Sequence, residues 1–370
     1  MTDLSDLVDA EGVRSAVDDA LSDHVERLRA LLAATSRDAD ALADALERMV
    51  AGGKRMRAAL CYWSFRAHGG GDGTPQAQAV LRVGAALELF QAAALFHDDV
   101  MDASDTRRGQ PSAHRVFEGR HRASGLTGDS ERFGVAAAIL LGDLALVASE
   151  QQFADATTGH PHQQAARAVF DLMRTEVTVG QYLDVLAQAM PWGDDPARDE
   201  DRAREVIRAK SARYSVEHPL VIGAVLAGAD EAAVARVQAI GRPLGEAFQL
   251  RDDLLGVFGD PRRTGKPAGD DLREGKRTVL VARAAARALA AGDDGTVRLL
   301  AHHLGDRTMP DAEVAALAHA IAATGAPDDV EQLIDELASR AFAGIESSGW
   351  PDPARRVVAA LAHAAVDRRA

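Results

Sequence analysis

The stretch Leu95-Phe96-His97-Asp98-Asp99-Val100-Met101-Asp102 ends an Ala/Leu-rich run in carboxylates. Helical spacing puts Asp98 and Asp102 one turn apart on the same face. Their charges repel, and the helix dipole adds a penalty at this C-terminal end, so a cation between them offsets a real cost. Mg²⁺ takes oxygen ligands, keeps several waters and bridges one or two carboxylates to a substrate phosphate, so the spacing suits a Mg²⁺-diphosphate site. Alone, the cluster reads equally as an acidic helix end in water. Next come Thr106, Arg107, Arg108, Gly109 and Gln110. The guanidinium forks match phosphate oxygens, with a counter-charge to the aspartates as the structural alternative.

A second acidic stretch, Phe248-Gln249-Leu250-Arg251-Asp252-Asp253, is followed by Lys266, Asp270, Asp271, Lys276 and Arg277. Gln249 and Asp253 are four apart and share a helix face, and the loop from Gly259 to Gly275 can fold its lysines over whatever the carboxylates hold. A salt-bridged surface loop is the blander account of Lys266 and Lys276. Near the first helix break, Gly52-Gly53-Lys54-Arg55-Met56-Arg57 sets three cations beside two flexible residues. Such a basic turn can cradle a diphosphate. It lacks the GxxxxGK[ST] pattern of a nucleotide P-loop. Gln181 and Asp184, three apart on a helix, and the pair Lys210-Ser211 are weaker signals, since such residues are more often ordinary polar contacts. His97, His114 and His218 show no metal-binding spacing and read as polar core residues.

These groups must be held by helices. Apolar residues recur three and four apart, as in Leu21, Val25, Leu28 and Leu32, and no segment sustains period-two alternation. With 47% hydrophobic but only 4% aromatic residues, the interior must be filled by Ala, Leu and Val, a helix-bundle palette. Gly, Pro and Asp gather at 68–75, 119–130, 158–162, 190–196, 259–275 and 325–328, marking breaks between helices. The 119–130 stretch, with Arg120, His121 and Arg122, reads as a mobile polar loop with solvated charges. All 370 residues are expected to form one all-α domain.

The net charge of −14 argues against nucleic acid or an anionic membrane as a general partner. An anionic substrate must then find a locally basic or metal-filled pocket. Cys61 is the single cysteine, which excludes an intramolecular disulfide and suits a reducing cytoplasm. Asp3, Asp6, Asp9 and Glu11 at the start do not resemble a secretory signal. The apolar run 80–96 is interrupted by Arg82, Glu88 and Gln91, so it is expected to be a buried helix and no membrane anchor is expected.

Taken in order, Lys54 to Arg57, Asp98 to Asp102, Arg107 to Gln110, Gln181 to Asp184, Lys210-Ser211 and Phe248 to Asp253 make the chain resemble the trans-isoprenyl diphosphate synthases, or polyprenyl synthetases. The match runs from about Gly52 to Arg277. The resemblance implies an all-α bundle of the isoprenoid synthase type around a deep central cavity, working as a homodimer in the cytoplasm. It implies condensation of isopentenyl diphosphate with an allylic diphosphate (dimethylallyl, geranyl or farnesyl), assisted by Mg²⁺, three ions per site with substrate bound. Asp98, Asp102 and Asp252 would bind metal, supported by Asp99 and Asp253. Arg107, Lys210 and Lys266 would hold the allylic diphosphate together with the metals, with Ser211, Gln249 and Lys276 beside them. Lys54, Arg57, Gln91 and Arg108 look like the isopentenyl diphosphate pocket, and Gln181 and Asp184 like groups on the cavity wall. One departure is Gly256, where many relatives carry a third aspartate, which leaves Asp252 most of the coordination on that side.

Product length in this family is set by side chains upstream of the first aspartate. Here Ala93 and Ala94 are small, and Phe90 lies about two turns before Asp98 as a candidate floor, so geranylgeranyl diphosphate is the expected product. Two other functions share parts of the pattern. A class I terpene cyclase also ionises a prenyl diphosphate with Mg²⁺, but carries a different second metal motif and an aromatic pocket. A non-catalytic partner subunit of a prenyl synthase would be free to lose the acidic clusters, and both are intact.

Overall fold

A computed structural model describes residues 9–193, 195–260 and 268–367. Lys266, Asp3 and Asp6 lie outside them. In chain order the α-helices are α1 (Val13–Thr35), α2 (Asp40–Val50), α3 (Met56–Ala67), α4 (Pro75–Met101), α5 (Ala113–Ala123), α6 (Ser130–Thr157), α7 (Gln163–Ala189), α8 (Pro196–Val206), α9 (His218–Leu226), α10 (Glu231–Phe258), α11 (Asp270–Glu274), α12 (Val279–Ala291), α13 (Asp294–His303), α14 (Asp311–Ala323), α15 (Ala326–Ser347) and α16 (Ala354–Val366). A π-helical segment, Ile207–Glu217, joins α8 to α9. Among the described residues the only strands are β1 (Thr106–Arg107) and β2 (Gln110–Pro111), paired antiparallel. The fold is all-α, as the periodicity requires.

The chain divides into two compact units. The first is drawn from the described residues of Met1–Arg167, Pro219–Val234 and Trp350–Leu361, the second from those of Ala168–His218, Ala235–Gly349 and Ala362–Ala370.

In the first unit α4 is the central element. Thr74 caps it, its hydroxyl accepting from the Ala77 amide at 3.1 Å, and Pro75 starts the first turn, where its missing N–H costs nothing. Small residues let neighbouring helices approach closely. A Cβ on Gly84 would come within 2.8 Å of the Ala58 Cβ on α3, and one on Gly142 of α6 within 2.3 Å of the His97 ring. Ser149 on α6 donates to the Ala86 carbonyl at 2.7 Å in the same dry contact. This is how Ala and Gly fill a core that has few aromatics. Both α4 and α6 are long and apolar enough to cross a membrane, but 72% of the apolar window in α4 is buried inside the protein, against 39% in α6.

The expected loop at 119–130 is shorter than the composition suggests, because α5 runs on through Ala123. Phe117 and His121, four apart, are both buried, and a Cβ on Gly134 of α6 would lie 2.2 Å from the His114 carbonyl, so close packing extends the helix through Gly119. Arg122 is exposed, as expected of a surface charge, and also bonds the Glu118 carboxylate and, at 3.0 Å, the Ser130 hydroxyl.

In the second unit the π-helical segment is packed from α7 and α10 by glycines. A Cβ on Gly180 would fall 2.3 Å from the Lys210 amide nitrogen, on Gly245 2.2 Å from the Ala212 carbonyl and on Gly241 2.8 Å from the Glu217 Cα. Its C-terminal end is fixed by charge. Fully buried Glu217 accepts from Arg213 and from Arg242, each at 3.0 Å, and Glu176 accepts from His218 at 2.7 Å and from Arg213. Further along, Thr278 caps α12 and Gly292 closes it in the left-handed conformation.

Two buried histidines couple folding to pH. Burial lowers the pKa of His24, whose Nδ1 donates to Gln152 at 3.0 Å, and of His218 below the ordinary 6.5. For a depressed base the unfolded chain takes up the proton first, so this contribution is whole above about pH 6.5 and is lost as pH falls through the folded-state values. Melting temperature should fall on acidification from about pH 7 to about pH 5.5, and His24→Gln should flatten that slope, as followed by circular dichroism.

Candidate active site

In the first unit the sequence motif at the end of α4 becomes a divided set of carboxylates. Arg107 on β1 donates its Nε to Asp99 Oδ1 at 2.8 Å, with a second contact from the same guanidinium, and stands 3.4 Å from Asp98. Asp99 is thus buried under an arginine, while Asp98 and Asp102 keep the one-turn relation, the Asp102 amide bonding the Asp98 carbonyl at 2.8 Å. The counter-charge role foreseen for Arg107 is the one this structure displays. Gln91, Ala94 and Asp98 share a half-exposed stripe of α4, whereas Phe90 and Ala93 are buried to the side of it.

Arg107 owes its place to a two-residue hairpin turn. Arg108 and Gly109 both have positive φ, 54° and 73°, the geometry that matches the twist of the strands. A left-handed arginine costs about 1–2 kcal/mol. Its side chain recovers part of that by donating to the Met49 carbonyl at 3.1 Å and lying 3.4 Å from the Ala51 carbonyl. Arg108 is thereby carried to the basic turn at Gly52 and Gly53. Crowding by protein pulls its pKa down, Glu88 opposes this, and Arg55, Arg107 and Arg57 push the same way as burial. Arg55, Arg57 and Arg107 thus set positive charge around Arg108, and Lys54 is exposed beside it. Arg55 plays another part. It is buried, at φ 50°, and holds Asp18 at 2.7 Å, Glu88 at 3.4 Å and the Val50 carbonyl at 2.5 Å. It builds the turn.

In the second unit Lys210 of the π-helical segment donates to Asp184 at 2.6 Å, bringing two of the weaker sequence signals together, with Ser211 adjacent in the chain. Gln181 lies one turn before Asp184 on α7. On α10, Gln249 donates to Asp253 at 2.8 Å. Burial pushes the Asp253 carboxyl up to about 7, with Asp271 and Asp252 adding to the shift and the Gln249 bond and Lys276 opposing it. Asp252 beside it is half-exposed. Lys276 bridges Asp271 at 3.2 Å and Glu274 at 2.6 Å, so it is engaged in the salt-bridged arrangement weighed above. Gly256 acquires a reason: a Cβ there would sit 1.9 Å from Asp271 Oδ2. The carboxylate of Asp271 occupies the space that a side chain at 256 would need.

The histidines are structural. His97 Nε2 donates to the Ile139 carbonyl at 3.1 Å, His114 pairs with the Ser112 hydroxyl at 3.1 Å, and His218 is bonded to Glu176. Among the described residues no three His, Cys, Asp or Glu side chains converge as a ready-made metal cage.

The sequence profile of the polyprenyl synthetases matches residues 39–321. The chain belongs to the polyprenyl synthetase family. It is 37% identical to a geranylgeranyl pyrophosphate synthase of Corynebacterium glutamicum crystallised with isoprenyl diphosphate and magnesium, and the superposition covers 99% of this chain and 100% of that one with a TM-score of 0.90. A geranylgeranyl diphosphate synthase of Mycobacterium tuberculosis is 32% identical over 79% of this chain and 75% of its own length. A (2E,6E)-farnesyl diphosphate synthase of Mycobacterium bovis is 31% identical over 86% and 80%. As a polyprenyl synthetase the chain is a Mg²⁺-dependent prenyltransferase that joins isopentenyl diphosphate to an allylic diphosphate. Asp98 and Asp102 in the first unit and Asp252 in the second carry hard carboxylate oxygens, the donor type that Mg²⁺ takes.

Motif reading missed the hairpin geometry, the structural use of Arg55 and the partner of Gly256. The first had a signal in Arg108-Gly109, a pair suited to a tight turn. The other two depend on residues far away in sequence, Glu88 for Arg55 and Asp271 for Gly256. Gly256→Ala should displace Asp271 and cost about 1–3 kcal/mol of stability by overpacking, with a parallel loss of turnover; thermal melts and a condensation assay read both.

Proposed function

We propose that this polyprenyl synthetase makes geranylgeranyl diphosphate, with Asp98, Asp102 and Asp252 as its metal ligands and three Mg²⁺ ions per site when substrate is bound. The observation that supports the assignment of ligands is the arrangement at the end of α4, where Asp98 and Asp102 stand one turn apart and Arg107 contacts Asp99 and, at 3.4 Å, Asp98. Bound Mg²⁺ supplies positive charge against the diphosphate oxygens as the allylic C–O bond breaks. The protein's own part is to bind and orient. Lys54, Arg57, Gln91 and Arg108 hold isopentenyl diphosphate, and Lys210, set by Asp184, holds the allylic diphosphate with Ser211, Gln181 and Gln249 around it. Arg107 and Lys276, which contact carboxylates in the structure, would bind phosphate oxygens of the substrate together with Lys266. Asp99 and Asp253 support the ligands next to them. The isopentenyl double bond attacks the allylic cation, and the departing diphosphate accepts the proton then lost, so no side chain is needed as a strong base.

Product length is the finer assignment. Ala93 and Ala94 are small, which leaves room for a growing tail, while Phe90, about two turns before Asp98 and buried, limits its depth. The similarity to geranylgeranyl synthases supports twenty carbons. Two apolar stripes support a homodimer. On α6, Phe133, Leu140 and Val147 are exposed at seven-residue spacing, Leu140 by 62%, and on α7 Leu172, Val179 and Leu186 repeat the pattern. Apolar rows of this period are the form a helix takes when another helix covers it. The whole chain is proposed to act as one catalytic domain in the cytoplasm. Its support is the interleaving of chain segments, since neither compact unit is a continuous stretch.

Incubation with Mg²⁺, isopentenyl diphosphate and each allylic primer, followed by mass analysis, tests the assignment; a cyclised hydrocarbon without elongation would refute it. Asp98→Asn or Asp252→Asn should lower kcat by about 10²–10³-fold, the scale of losing a main electrostatic contact to the transition state. Phe90→Ala should lengthen the product, and an unchanged profile removes Phe90 from that role. Leu140→Asp should yield monomer in light scattering.

A further inference from the structure

Behind the second acidic motif, Arg251 makes three bonds that the family reaction does not use. Its Nη2 donates to Glu331 Oε2 at 2.6 Å, its Nη1 to Glu331 Oε1, and its Nε to the Val366 carbonyl at 2.9 Å. The guanidinium is almost wholly buried and the paired fork is the strongest form of this contact. Glu331 stands on α15. Val366 is the last residue of α16, so its carbonyl is one of those a helix end leaves without an internal partner. One side chain thus links α10 to α15 and caps α16.

Packing does not already provide this link. A cavity of about 890 Å³ opens between the same three helices, bordered by Leu254, Leu255 and Phe258 of α10, Ile334 and Phe342 of α15 and Val366. Interdigitated side chains normally fix the rotation and axial position of a helix. Along this face of α10 that constraint is interrupted by empty space. Arg251 precedes Asp252 directly, so their side chains diverge by about 100° around the axis, and any roll that Arg251 resists is a roll of Asp252. We infer that Arg251 and Glu331 are positioning residues that set the orientation of Asp252 from the back of its helix.

The inference rests on Asp252 as a metal ligand, and the experiment separates the two. Glu331→Gln and Arg251→Lys are compared with Asp252→Asn in steady-state assays over a Mg²⁺ titration, with thermal melts. Glu331→Gln removes the charge and keeps the shape; Arg251→Lys keeps the charge and loses the fork. With Asp252 misplaced, kcat should fall and the half-saturating Mg²⁺ concentration should rise, each by about tenfold, while KM for isopentenyl diphosphate stays within about twofold. A variant that melts lower yet keeps wild-type kcat and Mg²⁺ dependence overturns the positioning role. If Asp252→Asn is inactive and both clamp variants behave as wild type, only this inference falls. If Asp252→Asn retains activity, the ligand assignment falls and takes the inference with it.

Discussion

Carboxylates gathered at the wrong end of an apolar helix repel one another, and the rest of this protein is arranged around that fact. The end of α4 places three aspartates where the helix dipole disfavours them, in a setting too dry to screen them fully. The structure relieves part of the strain with Arg107, which pairs with Asp99 and, at 3.4 Å, with Asp98; divalent cations would relieve the rest under the proposed function. A synthase that ionises a diphosphate needs this: negative charge that attracts metal, and metal charge that attracts the substrate. Positive side chains around the basic turn follow the same logic with the opposite sign, since Arg108 is held near Arg55 and Arg57 at a cost that an anion repays.

Much of this was legible in the chain. Three- and four-residue periodicity gave the helices because an amphipathic stripe is a local property. Asp98 and Asp102 were recognisable because one turn of helix is enough to bring them together. Legibility failed where the partner is remote or the packing is cooperative. Arg55 looked like one more substrate cation in a basic turn; that it is spent on Asp18 and Glu88 depends on helices distant in sequence. The stretch after Phe117 looked like loop from its Gly and charges, and it is helix because Gly134 of α6 lets α5 pack closely and His121 is buried. Gly256 read as a lost aspartate, and in three dimensions it is the cleft that receives Asp271.

The second unit shows a related economy. Lys210 can present its ammonium group to Asp184 because the backbone beneath it is held by glycines on one side and by buried ion pairs on the other. A buried carboxylate such as Glu217 is weak evidence for stability, but with Arg213 and Arg242 on its two oxygens it is strong evidence for a defined geometry. Rigid support behind mobile, charged groups is the common design of α7, α10 and the segment between α8 and α9.

The segment between α8 and α9 closes its bonds one residue wider than an α-helix. Loss of one residue between Ile207 and Lys210 would shift the lysine around the segment's axis and away from its aspartate. Sequence length here is as much a part of the site as sequence identity.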